Sequence, residues 1–89
     1  MNFQVELNRV FLNDTEGKLI AEVTFPIVNG VAEINHTFVD ESLRGQGVAG
    51  QLLILAVESI REQGIKAHPT CSYAIKWLEK HSECQDIVL

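Results

Sequence analysis

The chain has 89 residues, of which 46% are hydrophobic and 21% charged, and its formal net charge is −5. This length fits one small domain, which we place at residues 1–89. The acidic balance argues against nucleic-acid binding and against a polybasic membrane contact, because both need clustered positive charge. We therefore expect no nucleic-acid or membrane partner, and a chain that acts as a monomer or weak homodimer.

Cys71 and Cys84 are the only cysteines, and the N-terminus has neither the basic region nor the apolar stretch of a signal peptide. We therefore expect both thiols to be reduced and the protein to be cytoplasmic. The spacings of cysteine and histidine match no zinc pattern, so no metal is predicted.

The first third of the chain alternates apolar and polar residues, which predicts β-strands. Phe3, Val5 and Leu7 begin the alternation, residues 13–17 suit a turn, and from Lys18 onwards the odd positions share one face. These odd positions are Leu19, Ala21, Val23, Phe25 and Ile27.

Asn29-Gly30 predicts a tight hairpin turn. A strand over residues 31–39 should follow, with its even positions on one face. Those positions are Ala32, Ile34, His36 and Phe38. The pattern therefore places His36 in a row of apolar side chains.

Residues 40–45 interrupt the alternation and predict a loop. Apolar residues then cover most of the circumference of a helix over residues 46–63, which indicates burial against a sheet. A short strand over residues 65–68 and a second helix over residues 71–81 complete the order, and residues 86–89 allow a further short strand at the end. The order β-β-β-α-β-α predicts an α/β (α+β-like) mixed sheet in which the strands flanking the first helix are parallel.

The glycine loop, defined here as residues 44–49, has the composition of an anion site at the start of a helix. The first turn of a helix leaves N–H groups without partners, and Gly45 and Gly47 let a phosphate approach them closely. The Arg44 guanidinium can bind phosphate through two hydrogen bonds. The alternative is a flexible turn before an ordinary core helix.

The sequence Arg-Gly-Gln-Gly-Val-Ala of the glycine loop resembles the acetyl-coenzyme A (acetyl-CoA) signature of the GNAT acetyltransferases, Gln/Arg-x-x-Gly-x-Gly/Ala. Arg44, Gly47 and Ala49 occupy the matching positions. The strand before the loop and the helix, strand and helix after it match the family as well.

The resemblance covers residues 31–81, and residues 36–39 and 69–73 are similar to a short, truncated branch of the family. It implies a minimal GNAT-like fold that lacks the pair of helices found after the first strand in larger members. It also implies acetyl-CoA as co-substrate. The implied cofactor contacts are Arg44, Gly45, Gln46, Gly47, Val48 and Ala49 for the pyrophosphate, and backbone N–H groups of Thr37, Phe38 and Val39 for the pantetheine and the thioester carbonyl.

Cys71 and His36 are the candidate catalytic residues. Cys71 follows Pro69-Thr70 at the expected start of the second helix, where a thiolate is favoured, and the resemblance places it near the thioester as a nucleophile. His36 would act as a base for Cys71 or for an incoming amine. The alternatives are a small buried apolar residue for Cys71 and a packed histidine for His36.

These residues favour an acyltransferase that moves an acetyl group from acetyl-CoA to an acceptor, by analogy an amine. Leu78 stands where the family often has the tyrosine that protonates the leaving thiolate. A non-catalytic module that binds CoA or acetyl-CoA is therefore the alternative, and a small interaction domain without cofactor is the third hypothesis.

Overall fold

Two β-sheets and two α-helices make up the computed structural model, which describes residues 1–89. The strands are β1 (Gln4–Glu6), β2 (Arg9–Asn13), β3 (Leu19–Thr24), β4 (Ile27–Val28), β5 (Val31–Ile34), β6 (His36–Val39) and β7 (Lys66–Pro69). The helices are α1 (Val48–Glu62) and α2 (Ser72–Glu79), with short 3₁₀ helices at Glu41–Leu43 and Ser82–Ile87. The predicted mixed fold class is confirmed.

The first sheet has the strand order β1-β2-β3-β6 and is antiparallel throughout, whereas the second has the order β4-β5-β7. β4 and β5 form the hairpin predicted at Asn29-Gly30, where both residues take the positive φ that the turn requires (53° and 76°). β5 and β7 are parallel and joined through α1, as the strand, helix, strand order predicts.

The predicted strand over residues 31–39 is in fact two strands that belong to different sheets. Thr24 pairs with His36, and its carbonyl also accepts the N–H of Asn35 at 3.2 Å, so two residues of one strand lie opposite one residue of the other. This is a β-bulge, and it reverses which face each later residue takes. Ala32 and Ile34 are buried as expected, but the prediction that His36 shares their apolar row is wrong.

The first predicted strand contributes little to the core, because its apolar side chains are exposed. Val5 and Leu7 are 53% and 72% exposed because β1 is an edge strand of three residues that ends before a turn. Val10 and Leu12 of β2 occupy the core instead. They pack with the inner face of β3 and with the buried side of α1, whose core residues are Val48, Leu52, Leu53, Ala56, Val57 and Ile60.

The C-terminal residues form a 3₁₀ helix where a strand was predicted over residues 86–89. Only Val88 forms a parallel bridge, to Ala67, and the Leu89 N–H donates to the Ala67 carbonyl at 2.9 Å. Arg61 near the end of α1 fixes the segment by donating to both carboxylate oxygens of Asp86, at 3.0 and 2.7 Å.

No helix in the chain combines the length and the apolar character needed to cross a membrane.

Candidate active site

The glycine loop leaves the start of α1 open to a ligand. Gly45 and Gly47 have φ values of 80° and 70°, a left-handed conformation that favours glycine, and Gly47 is the N-cap residue without a side-chain cap. α1 therefore begins at Val48, two residues later than predicted. The first helical hydrogen bond runs from the Gln51 N–H to the Gly47 carbonyl. The preceding N–H groups are free to bind an anion.

A groove of about 210 Å³ lies over this helix start. Its lining residues are Val39, Leu43, Arg44, Gly45, Gly47, Val48, Ala49, Gly50 and Tyr73. Five of the six predicted loop contacts line it. Gln46 does not, and its N–H donates to the Leu43 carbonyl at 3.3 Å. Tyr73 joins the site because α2 is packed close to the start of α1.

The charges around the loop leave Arg44 available. Its guanidinium lies 3.9 Å from Glu41, but both side chains are more than 80% exposed. An ion pair this exposed contributes little to stability and does not hold Arg44 in place. The Asp40 carboxylate is occupied by the side chain and the N–H of Ser42, at 2.6 and 3.0 Å. These hydrogen bonds hold the pKa of Asp40 below its ordinary value. The carboxylate therefore stays within its own 3₁₀ turn.

A cleft opens between β6 and the end of β7, and we call it the inter-sheet cleft. β5 and β7 stay paired up to Ile34, whose carbonyl accepts the N–H groups of Thr70 and Cys71 at 2.9 and 3.1 Å. Beyond the bulge the chain leaves β7 and pairs with β3 instead. The two sheets therefore separate at this point.

The free edge of β6 faces the inter-sheet cleft. The Asp40 N–H donates to the Ile20 carbonyl, so in this antiparallel ladder the even positions of β6 bond to β3. The N–H and C=O groups of Thr37 and Val39 consequently point into the cleft. The backbone of Phe38, also predicted to bind the cofactor, points toward β3.

Cys71 lies across the cleft from this edge and is half-buried. It is the N-cap residue of α2, and its Sγ accepts the N–H of Ala74 at 3.4 Å. The same Sγ lies 3.4 Å from the Thr37 hydroxyl. The Thr70 hydroxyl takes no part in this cap and donates to Glu33 at 3.5 Å.

His36 lies on the other side of β6. Its side chain is 54% exposed, and its Nε2 is 3.9 Å from one carboxylate oxygen of Glu22. The other carboxylate oxygen of Glu22 lies 3.1 Å from Arg9 Nε. Since neighbouring residues of a strand point to opposite faces, His36 points away from Thr37 and Cys71. The structure does not bring His36 and Cys71 into contact.

We call the face of the first sheet that carries Arg9, Glu22 and His36 the outer face, and the face covered by α1 the inner face. Leu78 is 2% exposed within the core, and its hydrocarbon side chain has no proton to donate. No group of three or more His, Cys, Asp or Glu side chains lies close enough to hold a metal ion.

An open helix start, a strand edge without a partner and a capping cysteine lie next to one another, because Val39 belongs both to the groove over the glycine loop and to the free edge of β6. This arrangement on an α/β domain suits an extended ligand that carries phosphate groups. The chain belongs to the GCN5-related N-acetyl-transferase (GNAT) family, whose model matches residues 9–87. The predicted family is confirmed.

Known proteins support this assignment over different lengths. A GCN5-like protein from Staphylococcus aureus is 37% identical with a TM-score of 0.81, covering 99% of this chain and 87% of its own. YhbS of Escherichia coli, solved in complex with CoA, is 32% identical with a TM-score of 0.56, covering 64% of this chain and 35% of its own.

Protein NATD1 of Homo sapiens is 33% identical over 51 residues, which are 57% of this chain and 45% of NATD1. The chain therefore spans less than half the length of the curated relatives that it matches.

Proposed function

We propose that the protein transfers an acetyl group from acetyl-CoA to an amine, with Cys71 as the first acceptor. The observation that carries this proposal is the continuity of the site. Val39 lines the groove of the glycine loop and also belongs to the free edge of β6, two residues from Thr37. Two residues of a strand span about 7 Å, so one extended ligand can reach from the loop to the sulfur of Cys71.

The glycine loop fits the pyrophosphate of CoA. Free N–H groups at the start of α1 supply hydrogen bonds, and the helix dipole adds a favourable potential. A β-carbon placed on Gly47 would meet no protein atom within 4 Å, so the space over this residue is open to a ligand. The exposed Arg44 side chain can turn toward the phosphates.

The free edge of β6 fits the pantetheine arm, which carries amide groups of its own. The N–H and C=O groups of Thr37 and Val39 can pair with these amides as a neighbouring strand would. This alignment brings the thioester toward the position where Cys71 and Thr37 meet at 3.4 Å.

Cys71 is placed to accept the acetyl group. Its sulfur attacks the thioester carbonyl carbon and its S–H proton is released, while the bond from that carbon to the CoA sulfur breaks and CoA leaves as a thiol. The amine then attacks the acetyl-Cys71 thioester, and the sulfur of Cys71 recovers a proton. The N–H of Ala74 donates to the Cys71 sulfur at 3.4 Å and so holds this sulfur at the start of α2.

The outer face is the side from which we expect the amine to approach. The glycine loop leads into α1, which packs on the inner face, so CoA approaches the cleft from that side. His36 and Glu22 lie on the outer face, 3.9 Å apart. His36 can therefore accept a proton from an amine there, although it does not touch Cys71.

A second candidate function is binding of CoA without transfer. It is favoured by Leu78, which is buried in the core at the position where the family often has its acid. The same N–H groups and strand edge would hold the ligand in either case. The two functions differ only in what happens at Cys71.

Mass spectrometry after incubation with isotopically labelled acetyl-CoA tests the proposal. We expect one labelled acetyl group on Cys71, which amines remove with release of free CoA. Cys71→Ser should abolish the adduct while keeping α2 intact, because serine is a good N-cap residue. Cys84→Ala is the matched control, since it removes the other thiol and should leave the adduct unchanged.

The remaining outcomes separate the hypotheses. Turnover of amines without any adduct would exclude the covalent step and leave direct transfer. Tight CoA binding without adduct or turnover would support the binding module. Absence of measurable CoA binding would contradict both functions and leave an interaction domain without cofactor.

A further inference from the structure

A second groove lies beside the glycine loop, along the exposed side of α2. It has a volume of about 220 Å³ and is lined by Tyr73, Lys76, Trp77 and Lys80. We call it the α2 groove. Tyr73 also lines the groove over the glycine loop, so the two grooves meet at its ring.

The floor of the α2 groove is aromatic and firmly held. Trp77 is only 8% exposed and stacks on His81, with ring centroids 3.7 Å apart. A β-carbon at Gly50 would lie 3.4 Å from the indole nitrogen of Trp77, so the glycine lets α2 approach the first turn of α1 closely. The aromatic rings are consequently fixed next to the proposed pyrophosphate site.

The rim of the α2 groove carries two uncompensated positive charges. Lys76 and Lys80 are one helical turn apart, a spacing at which like charges repel. Neither forms an ion pair. In a chain with a net charge of −5, these two lysines make the rim of the groove locally positive, and a bound anion would stabilise them.

The chemistry of the α2 groove is that of a phosphate monoester attached to a flat ring system. Two ammonium groups suit a phosphate dianion, and aromatic side chains suit a purine. CoA carries such a group at the end that lies beyond its pyrophosphate, the adenosine 3′-phosphate.

We propose that the α2 groove binds the 3′-phosphoadenosine end of CoA. Lys76 and Lys80 bind the 3′-phosphate, and the adenine lies against Tyr73 and the exposed edge of Trp77. This inference rests on the proposed function, because it requires the pyrophosphate to occupy the glycine loop. It adds a selectivity: the protein distinguishes CoA from 3′-dephospho-CoA.

Titration calorimetry with CoA and 3′-dephospho-CoA tests the inference. We expect the unmodified protein to bind CoA at least about tenfold more tightly, the size of one hydrogen bond between charged groups. The double variant Lys76→Gln with Lys80→Gln should bring the ratio close to one, while its affinity for 3′-dephospho-CoA stays unchanged. Glutamine is a good helix former, so α2 should be retained.

The matched control is Lys18→Gln, which removes a lysine in the turn before β3 and should keep the full ratio. Trp77 is the only tryptophan, so its fluorescence reports on the groove directly. Adenosine 3′,5′-bisphosphate should change this fluorescence in the unmodified protein, and pantetheine should not.

Equal affinities for CoA and 3′-dephospho-CoA in the unmodified protein would overturn the inference and leave the proposed function standing. Loss of both affinities in the double variant would also overturn it, since the lysines would then act on the whole ligand or on the fold. Failure of the unmodified protein to bind either ligand would overturn the inference and the proposed function together.

Discussion

Cys71 and Cys84 occupy different surroundings, and this difference decides which of them we propose as the acetyl acceptor. Cys84 is 7% exposed, and burial raises the pKa of its thiol, with the neighbouring Glu83 carboxylate adding to the rise. A buried thiol of this kind is unreactive at neutral pH. Cys71 is half-buried, accepts an N–H from α2 and faces the inter-sheet cleft. The proposed acetyl transfer is therefore assigned to Cys71 and not to Cys84.

His36 gives a prediction that divides the reaction into two halves. Because His36 lies on the outer face, His36→Gln should leave the rate of acetyl-Cys71 formation within about twofold. It should slow transfer to the amine by about a hundredfold, the lower range for loss of a general base. Rapid-quench measurement of each half-reaction provides the test.

Glu22→Gln is the control for the charge beside His36 and should affect amine transfer less, because it leaves the imidazole in place. A His36→Gln variant that forms no adduct would contradict the geometry described above. His36 would then act on Cys71 as its base, as the sequence alone also allowed.

The elements that the sequence predicts correctly are those set by local pattern. Asn29-Gly30 specifies a hairpin turn whatever surrounds it, and the apolar surface of α1 specifies a buried helix. The bulge at Asn35 has no such local pattern. It arises because β5 pairs with β7, whereas β6 pairs with β3.

That bulge explains which parts of the site could be anticipated. The glycine loop is contiguous in sequence, so its composition and its position before a helix suffice to predict an anion site. The contact between Thr37 and Cys71 joins residues 34 positions apart and depends on the separation of the two sheets. The outward direction of His36 depends on the same bulge, so alternation alone predicts it wrongly.

The glycine loop supplies a prediction at the scale of a loop and its helix. Gly47→Ala forces a β-carbon onto a left-handed residue and should lower the free energy of unfolding by about 1–2 kcal/mol. It should also weaken CoA binding by at least about tenfold, because the β-carbon occupies the approach of the phosphate. Chemical denaturation and calorimetry measure the two effects.

Gly17→Ala is the matched control for this change. Gly17 has a φ of 85° and, like Gly47, open space around the added β-carbon, but it lies in the turn before β3. It should destabilise the protein to a similar degree and leave CoA affinity unchanged. Equal loss of affinity in both variants would show that stability, and not the loop, controls binding.

The whole molecule couples its two helices through the C-terminal 3₁₀ helix. Arg61 of α1 binds Asp86, and the Gln85 side chain donates to the Leu78 carbonyl of α2 at 2.6 Å. α2 carries both Cys71 at its start and the lysines of the α2 groove. The C-terminal segment therefore helps to fix the Cys71 sulfur and the proposed nucleotide site relative to α1. A single domain over residues 1–89, as monomer or weak homodimer, stays a prediction.

Asp86 provides a test of this coupling through pH. Hydrogen bonds from Arg61 lower the pKa of Asp86 below its ordinary value of 3.8. Since the unfolded chain binds that proton more readily, the pair stabilises the fold above pH 3.8, and the stabilisation is lost as pH falls through the folded-state pKa.

Asp86→Asn should therefore lower the melting temperature at neutral pH, and its effect should shrink as the pH falls through the folded-state pKa, because the carboxylate then becomes protonated in both states. The decrease should be a few degrees at most, because the pair is partly exposed to solvent. Glu83→Gln is the matched control, since it removes a carboxylate of the same segment that forms no ion pair, and it should change the melting temperature less.

An Asp86→Asn effect that persists unchanged at low pH would mean that its carboxylate stabilises the fold by some means other than its charge. Hydrogen exchange of the α2 amides at neutral pH completes the test, because loosening of the C-terminal segment should speed exchange in α2 before it affects β2 and β3.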